Sequence, residues 1–176
     1  MTESLSAPPA AASTGRRLYL LFRIGRDRYA LDAADIIEVL GWRPLKRVPG
    51  TPAWVAGLLS RHGEGVPVID MSALAGCGQA ATVTSTRLAL LRYRAPALGG
   101  ERVLGLILEQ ATETVHFDPA AFRPLALDNR QARYLGPVLS DAMGMVQAVT
   151  VDDLLPPEAR ALLYPAPDDA RPGAAP

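Results

Sequence analysis

Apolar residues along this chain occur in short runs, several of which alternate with polar residues and end at glycine or proline. Such runs, bounded by Gly or Pro, are typical of β-strands, because side chains of a strand point to alternate faces. The pattern therefore predicts a chain of short strands joined by tight turns. The predicted strands cover residues 17–25, 26–32, 53–60, 65–71, 87–93, 102–117, 132–140 and 144–151.

A few segments have the signals of short helices. The segment ALDAADIIEVL (residues 30–40) is predicted to form one or two helical turns with Asp32 as the N-cap. SALAG (72–76) is predicted to form one turn, capped by Asp70 or Ser72. Asp118 and Pro119 have the arrangement of a short helix start, and PPEARALL (156–163) reads as a C-terminal helix opened by prolines.

Short strands at regular spacing with Gly and Pro turns predict an all-β barrel or sandwich. The two halves of the chain repeat a similar order of strands, short helix and closing hairpin, which favours a pair of small barrels. The long run 102–117 is expected to bend or bulge near Gly105. Residues 1–15 and 165–176 are rich in Ala, Pro and other poorly burying residues, so we expect two disordered tails around a folded part at 16–164.

Composition excludes several classes of protein. Basic and acidic residues balance at 18 each, which argues against binding nucleic acid or membrane surfaces through bulk charge. A single cysteine, Cys77, leaves no intrachain disulfide and no cysteine metal cluster. The N-terminus lacks the apolar core of a secretory signal, and no apolar run reaches the length of a membrane span. We therefore expect a cytoplasmic protein without membrane insertion.

Candidate catalytic groups are sparse. The two histidines, His62 and His116, lack metal-ligand spacing, and exposed positions on a turn and a solvated strand face suit them better. Ser60, His62 and Asp70 are close in sequence, so a small hydrolase stays open as an alternative, although no nucleophile-elbow motif is present. A single-stranded nucleic-acid binder is a further alternative, disfavoured by few aromatic residues. A protein-binding module without a metal or cofactor is the default.

The order of motifs resembles the CheW family of bacterial chemosensory coupling proteins. The likeness extends over about residues 17–163: a Phe-Gly-Tyr hairpin, a hydrophobic segment around a glutamate, a Pro-rich loop, a Gly-hydrophobic turn and a Pro-Val-hydrophobic-Asp strand. A strand with a characteristic glycine follows in the second half of the chain. The matching residues are Phe22, Gly25, Tyr29, Ile36, Glu38, Val39, Pro49, Pro52, Gly57, Leu58, Leu59, Gly63, Pro67, Val68, Ile69, Asp70, Met71 and Gly105, with Glu109 where aspartate is usual.

The resemblance implies two intertwined five-stranded, SH3-like β-barrels and a non-enzymatic adaptor. Such an adaptor couples the cytoplasmic tip of methyl-accepting chemoreceptors to the regulatory domain of a CheA-type histidine kinase. The proposed receptor-binding patch is Ile36, Glu38 and Val39 on the short helix or turn, although these apolar residues also suit a cap on the first barrel, Ile37 most of all.

The hairpin from Leu58 to Val66 is the expected kinase-facing edge, with Leu58, Arg61, His62 and Gly63 as partner-binding residues. The family's Asn-Leu-Arg-Gly turn is Ser-Arg-His-Gly here, so an imidazole stands where the resemblance implies a contact arginine. An imidazole lacks the bidentate fork of a guanidinium. Either Arg61 supplies the charge, or the protein serves a dedicated pathway, such as one for surface sensing or pili.

Overall fold

The computed structural model describes residues 15–166, which form nine strands and two α-helices joined by turns and short 3₁₀ segments. The N-terminal tail and most of the C-terminal tail predicted above lie outside these residues. The strands are β1 (Arg17–Ile24), β2 (Asp27–Asp32), β3 (Ile36–Leu40), β4 (Val55–Arg61), β5 (Glu64–Asp70), β6 (Arg87–Ala95), β7 (Gly100–Phe117), β8 (Leu135–Asp141) and β9 (Gly144–Val149). The helices are α1 (Met71–Leu74) and α2 (Pro157–Leu163).

The long strand β7 belongs to two sheets. Its first half pairs with β6 and, in parallel, with β5, whereas its second half pairs with β1. The pairing with β1 shifts register between Leu21 and Arg23, close to Gln110, whose φ of 49° is unusual for a residue with a side chain. The bulge predicted near Gly105 is therefore wrong in position. Gly105 is regularly paired, and the position requires glycine because a side chain there would collide with Val68.

Two five-stranded sheets result, and the chain passes between them. Barrel 1 consists of β8, β9, β2, β1 and the second half of β7, in that order. Barrel 2 consists of β3, β6, the first half of β7, β5 and β4. The chain begins in barrel 1, builds barrel 2, and returns to barrel 1 through β7, which confirms the predicted all-β fold of two intertwined units with a C-terminal helix.

The hydrogen-bonded sheets are not closed rings within residues 15–166. In each barrel, instead, the segment that follows one edge strand forms an isolated bridge with the other edge strand. In barrel 2, Lys46 after β3 pairs with Leu58 of β4, and in barrel 1, Arg123 after β7 pairs with Val138 of β8. These two bridges occupy equivalent places in the two barrels. They fix the loops that follow β3 and β7 against the β4–β5 and β8–β9 hairpins.

Three apolar clusters hold the fold together. Barrel 1 encloses residues such as Tyr19 and Phe122, and barrel 2 encloses residues such as Val68 and Leu90. A larger cluster, including Phe22, lies between the barrels. Strands with both faces buried read as continuous apolar runs, which explains segments such as LYLLF. Burial on both faces also makes the two barrels one packed body.

The predicted helix over residues 30–40 is wrong beyond its first turn. Asp32 caps a 3₁₀ turn by accepting a hydrogen bond from the backbone N–H of Ala34, but that turn ends at Asp35. Residues 36–40 form β3, paired with β6. β-Branched Ile and Val residues favour a pleated strand, and pairing with β6 supplies hydrogen bonds that a two-turn helix lacks at its ends.

The other short helices agree with prediction. The carboxylate of Asp70 accepts hydrogen bonds from the backbone N–H groups of Ser72 and Ala73 at the start of α1. Asp118 likewise accepts from the N–H of Ala120. No helix within residues 15–166 combines the length and apolar character that a membrane crossing needs.

Candidate functional site

The β4–β5 hairpin presents the predicted kinase-facing residues on a two-residue turn. Arg61 lies opposite Glu64, and the turn itself is His62 and Gly63, with φ angles of 51° and 82°. Positive φ at both positions matches the right-handed twist of the two strands, so the strands stay paired up to the turn. His62 and Gly63 are exposed, as the sequence predicts for the histidine.

The hairpin does not assemble a hydrolytic site. Among residues 15–166 no hydrogen bond joins Ser60 to His62. Asp70 is buried and directs both carboxylate oxygens to backbone: one to Ser72 and Ala73, the other to the N–H of Ala80. A carboxylate engaged in this way holds a helix start and a loop rather than orienting a histidine. The described residues also include no cluster of three or more metal-ligating side chains.

Leu58 sits at the base of the same hairpin. Its backbone exchanges two hydrogen bonds with Lys46, of 2.9 and 2.8 Å, and its half-buried side chain packs beneath Gly65. A shallow groove of about 440 Å³ runs from Leu58 and Lys46 to Gly63. Of the four predicted kinase-facing residues, Leu58 and Gly63 line this groove, whereas Arg61 and His62 do not. Arg61 is three positions from Leu58 and so lies on the opposite face of β4, at the tip of the hairpin.

The predicted receptor-binding residues lie on β3, not on a helix. Glu38 and Val39 are exposed, and Val39 has 42% of its surface accessible. Ile36 is half-buried against the cluster between the barrels, whereas Ile37 is half-buried against the core of barrel 2. The two isoleucines face different cores because successive side chains of a strand point to opposite faces. The structure places this patch and the hairpin on the two outer strands of barrel 2.

Charged residues surround the start of β3. Arg94 of β6 lies 3.4 Å from the carboxylate of Asp35 and 3.1 Å from that of Glu101. Partial burial raises the pKa of Asp35, and nearby Asp32 adds to the rise, while Arg94 opposes it. The hydrogen bond to Glu101 raises the pKa of Arg94. This network joins the 3₁₀ turn before β3 to the β6–β7 hairpin.

The β8–β9 hairpin of barrel 1 is the counterpart of the β4–β5 hairpin, and sequence reasoning missed its features. Arg28 of β2 holds Asp141 in a bidentate ion pair at 2.7 and 2.9 Å. The hydrogen bond from Arg28 lowers the pKa of Asp141, although burial opposes the shift. Met143 and Met145, 70% and 59% exposed, stand at the tip. The sequence feature that could have revealed this tip is the pair of methionines, one on each side of Gly144.

Trp42 is a second missed feature. It follows β3 in the Pro-rich loop, and 45% of its surface is exposed. Val83, also exposed, lines an apolar depression together with Trp42. A tryptophan in a loop otherwise rich in Pro and Arg was the available signal, since tryptophan is enriched at protein interfaces.

Residues 18–158 match the CheW-like domain family. The chain belongs to the CheW-like family. A chemotaxis protein CheW of Rhizobium meliloti is 24% identical over 84% of this chain and 93% of its own length. Protein FrzA of Myxococcus xanthus is 30% identical over 45% of this chain and 49% of its own.

The fold agrees with that membership. The crystal structure of the scaffolding protein TtCheW from Thermoanaerobacter tengcongensis superposes with a TM-score of 0.69 at 19% identity, and the match covers 90% of this chain and 96% of that one. CheW-like proteins are adaptors without catalytic activity. This CheW-like chain is accordingly a non-enzymatic coupling adaptor of chemosensory signalling, as the resemblance implied, rather than a hydrolase.

Proposed function

We propose that this CheW-like adaptor uses two separate surfaces of barrel 2 to join its partners. The β3 patch of Ile36, Glu38 and Val39 contacts the cytoplasmic tip of a methyl-accepting chemoreceptor. The tip of the β4–β5 hairpin contacts the regulatory domain of a CheA-type histidine kinase. The observation that carries the proposal is that each set includes exposed residues, Glu38 and Val39 on β3 and His62 and Gly63 on the β4–β5 turn, at separate places on one barrel, which lets two partners bind at once.

The hairpin surface fits a protein partner because it combines an apolar base with a polar rim. Leu58 is half-buried in a groove that Lys46, Ser60 and Glu64 also line, and Arg61 and His62 stand at the hairpin tip beyond it. Interfaces between proteins commonly have this arrangement, in which the rim excludes water from a small apolar centre. The two-residue turn holds the rim in one conformation, so little entropy is lost on binding.

Arg61 is the expected source of charge at this surface. His62 occupies the turn position at which the family has an arginine. Its imidazole cannot form the two parallel hydrogen bonds that a guanidinium forms. Arg61 precedes it, is only half-buried, and forms no ion pair within the described residues. Its guanidinium is thus free to form a bidentate pair with a carboxylate of the kinase domain.

Binding measurements with purified partners test the proposal. The kinase regulatory domain and a receptor tip fragment encoded in the same genome are titrated separately into the wild-type protein. Arg61→Ala is expected to weaken kinase binding about tenfold or more, with receptor binding unchanged. Glu38→Lys is expected to do the reverse. Thermal unfolding of Glu38→Lys should match the wild type because Glu38 is exposed, and Arg61→Ala should remain close to it because half-buried Arg61 forms no ion pair within the described residues.

Matched controls separate these effects from net charge. Arg130→Ala removes an exposed arginine of barrel 1, and Glu113→Lys reverses an exposed glutamate of β7. Neither control should alter either affinity. Loss of both partners in one variant, or wild-type affinity in Arg61→Ala and Glu38→Lys alike, would contradict the assignment of two surfaces.

We further propose that the adaptor serves a dedicated pathway, such as surface sensing or pilus control, and that it is recruited from the cytoplasm to receptor arrays. The Ser-Arg-His-Gly turn at residues 60–63 supports this, because a changed contact residue implies a matching change in the partner. Deletion of the gene should impair surface behaviour and leave swimming intact. Impaired swimming with normal surface behaviour would refute the assignment.

A further inference from the structure

A concentrated basic segment follows β3. Arg43, Lys46 and Arg47 fall within five residues, and all three are exposed. No ion pair within residues 15–166 involves any of them. Some other arginines, such as Arg28 and Arg94, are paired with carboxylates, and unpaired ones such as Arg26 and Arg133 do not belong to any five-residue stretch with three cations. The segment 42–47 therefore forms a cationic ridge whose charges have no partner within the described protein.

The ridge is rigid. Lys46 and Leu58 exchange two backbone hydrogen bonds, and the hydroxyl of Thr51 donates to the carbonyl of Val48 at 2.7 Å just beyond the ridge. Gly57 allows the close approach: a Cβ at that position would lie only 2.5 Å from the carbonyl oxygen of Lys46. Side chains on a fixed backbone lose less entropy on binding than those on a mobile loop.

Grooves flank the ridge on both sides. Trp42 and Arg47 line a groove of about 450 Å³, and Lys46 and Leu58 line one of about 440 Å³. Leu45, which lies between Arg43 and Lys46 in the sequence, lines both grooves. The exposed face of Trp42 offers an apolar contact surface in the groove that Arg47 also lines. Tryptophan and arginine are enriched among the residues that contribute most to binding energy at protein interfaces.

We propose that the ridge docks an extended, acidic segment of a partner protein. Carboxylates of that segment pair with Arg43, Lys46 and Arg47, and a neighbouring apolar side chain enters the Trp42 groove. The guanidinium groups receive carboxylates in two parallel hydrogen bonds. Arg43, Arg47 and Trp42 lie outside both surfaces proposed above, while Lys46 borders the groove of Leu58. Docking of an acidic segment is thus a contact additional to receptor and kinase coupling.

A protein segment fits the ridge better than a nucleic acid. The basic area is short, with three cations within five residues, whereas nucleic-acid grooves follow the backbone over several nucleotides. Trp42 is the only aromatic side chain lining the two grooves, whereas single strands need several stacking platforms. The chain has no net positive charge to add long-range attraction.

The test uses the full chain labelled for NMR and two synthetic peptides, Glu-Glu-Leu-Glu-Glu and its matched form Gln-Gln-Leu-Gln-Gln. The glutamate peptide is expected to shift the amide signals of residues 42–47 and the indole signal of Trp42 saturably. Those shifts should weaken as salt rises. The glutamine peptide should cause no saturable shift. Trp42→Ala should reduce the affinity for the glutamate peptide without moving the bound region.

Charge-reversed variants locate the effect. The combined variant Arg43→Glu, Lys46→Glu, Arg47→Glu is expected to lose at least about tenfold in affinity. A matched variant reverses three exposed arginines elsewhere, Arg16, Arg26 and Arg133. It should bind as the wild type does.

Four results would overturn the proposal: no saturable shift at millimolar peptide, shifts spread over all arginines, unchanged affinity in the ridge variant, or equal loss in the matched variant. A thymidine oligonucleotide that binds residues 42–47 more tightly than the glutamate peptide at the same salt would also overturn it, in favour of nucleic acid. The readout requires neither kinase nor receptor. A failure here therefore leaves the receptor and kinase surfaces unaffected.

Discussion

The ion pair between Arg28 and Asp141 provides a sharp test of how the β8–β9 hairpin is held. The two residues are 113 positions apart in the chain and are joined by two hydrogen bonds of 2.7 and 2.9 Å. Their side chains are 11% and 26% exposed, so the pair lies between a surface pair and a buried one. Asp141→Asn keeps the shape of the side chain and an oxygen for the N–H of Met143, but removes the charge that Arg28 requires.

The expected cost is about 2 kcal/mol. Exposed pairs contribute about 0–1 kcal/mol, and breaking a buried pair costs about 3–5 kcal/mol because one charge is left without a partner. An intermediate exposure gives an intermediate value. For a chain of this size, about 2 kcal/mol lowers the melting temperature by about 4–8 °C.

The pH dependence has a defined sign. The hydrogen bond from Arg28 lowers the pKa of Asp141 in the folded protein. The stabilisation is therefore fully present above the unfolded-state pKa of about 4 and is lost as the pH falls through the lower, folded-state pKa. The difference in melting temperature between wild type and Asp141→Asn should be largest near neutral pH and shrink below about pH 4.

Thermal and denaturant unfolding at several pH values measure the effect, and Asp128→Asn is the control. Asp128 pairs with Arg130 at 3.3 Å, but both side chains are more than three-quarters exposed, so its loss should be nearly neutral. Arg28→Met combined with Asp141→Asn should cost less than the sum of the single changes. If Asp141→Asn melts within about 1 °C of Asp128→Asn at neutral pH, the ion pair does not hold the hairpin.

Three further changes test the packing. Gly57→Ala should cost about 2 kcal/mol or more and shift the Lys46 amide signal in NMR spectra, because its Cβ would meet the Lys46 carbonyl at a φ of 144°. Gly105→Ala should cost about 1–3 kcal/mol in denaturant unfolding, since its Cβ would lie 2.8 Å from buried Val68. Burial raises the pKa of Tyr164, so its contribution to stability should be lost above about pH 10, a loss that Tyr164→Phe removes in alkaline unfolding.

Each of these has a discriminating comparison. Gly63 also has a positive φ, of 82°, but open space around the position of its Cβ, so an equal cost for Gly57→Ala and Gly63→Ala would show that crowding is not the cause. Val68→Ala should recover part of the loss in Gly105→Ala, and a strictly additive double variant would contradict the proposed close contact. Identical alkaline unfolding of wild type and Tyr164→Phe would show that the buried phenol does not couple to folding.

Local chemistry explains which predictions were confirmed. Asp32, Asp70 and Asp118 cap short helical turns through hydrogen bonds to N–H groups two or three residues away. The histidine–glycine turn at residues 62–63 closes a hairpin through its own φ angles. Each of these features depends on a few neighbouring residues, and the chain order alone contains them.

Long-range pairing explains the failures. The apolar run 36–40 fits a helix or a strand equally well, and only its pairing with β6 decides for a strand. The bulge in β7 lies near Gln110 rather than Gly105 because β1 sets the register there. The closeness of Val68, which the local sequence does not reveal, is what keeps Gly105 free of a side chain.

The sequence by itself determined the strand content, the turns, the helix caps and, through the order of its motifs, the CheW-like family. Tertiary structure alone decided that β7 serves both barrels and that Arg28 holds Asp141 across 113 positions. It also decided that Lys46 and Arg47 stand on a pinned ridge without acidic partners among the described residues. The physical reason is that turns and caps are made by neighbours in sequence, whereas pairing and packing depend on residues brought together only by the fold.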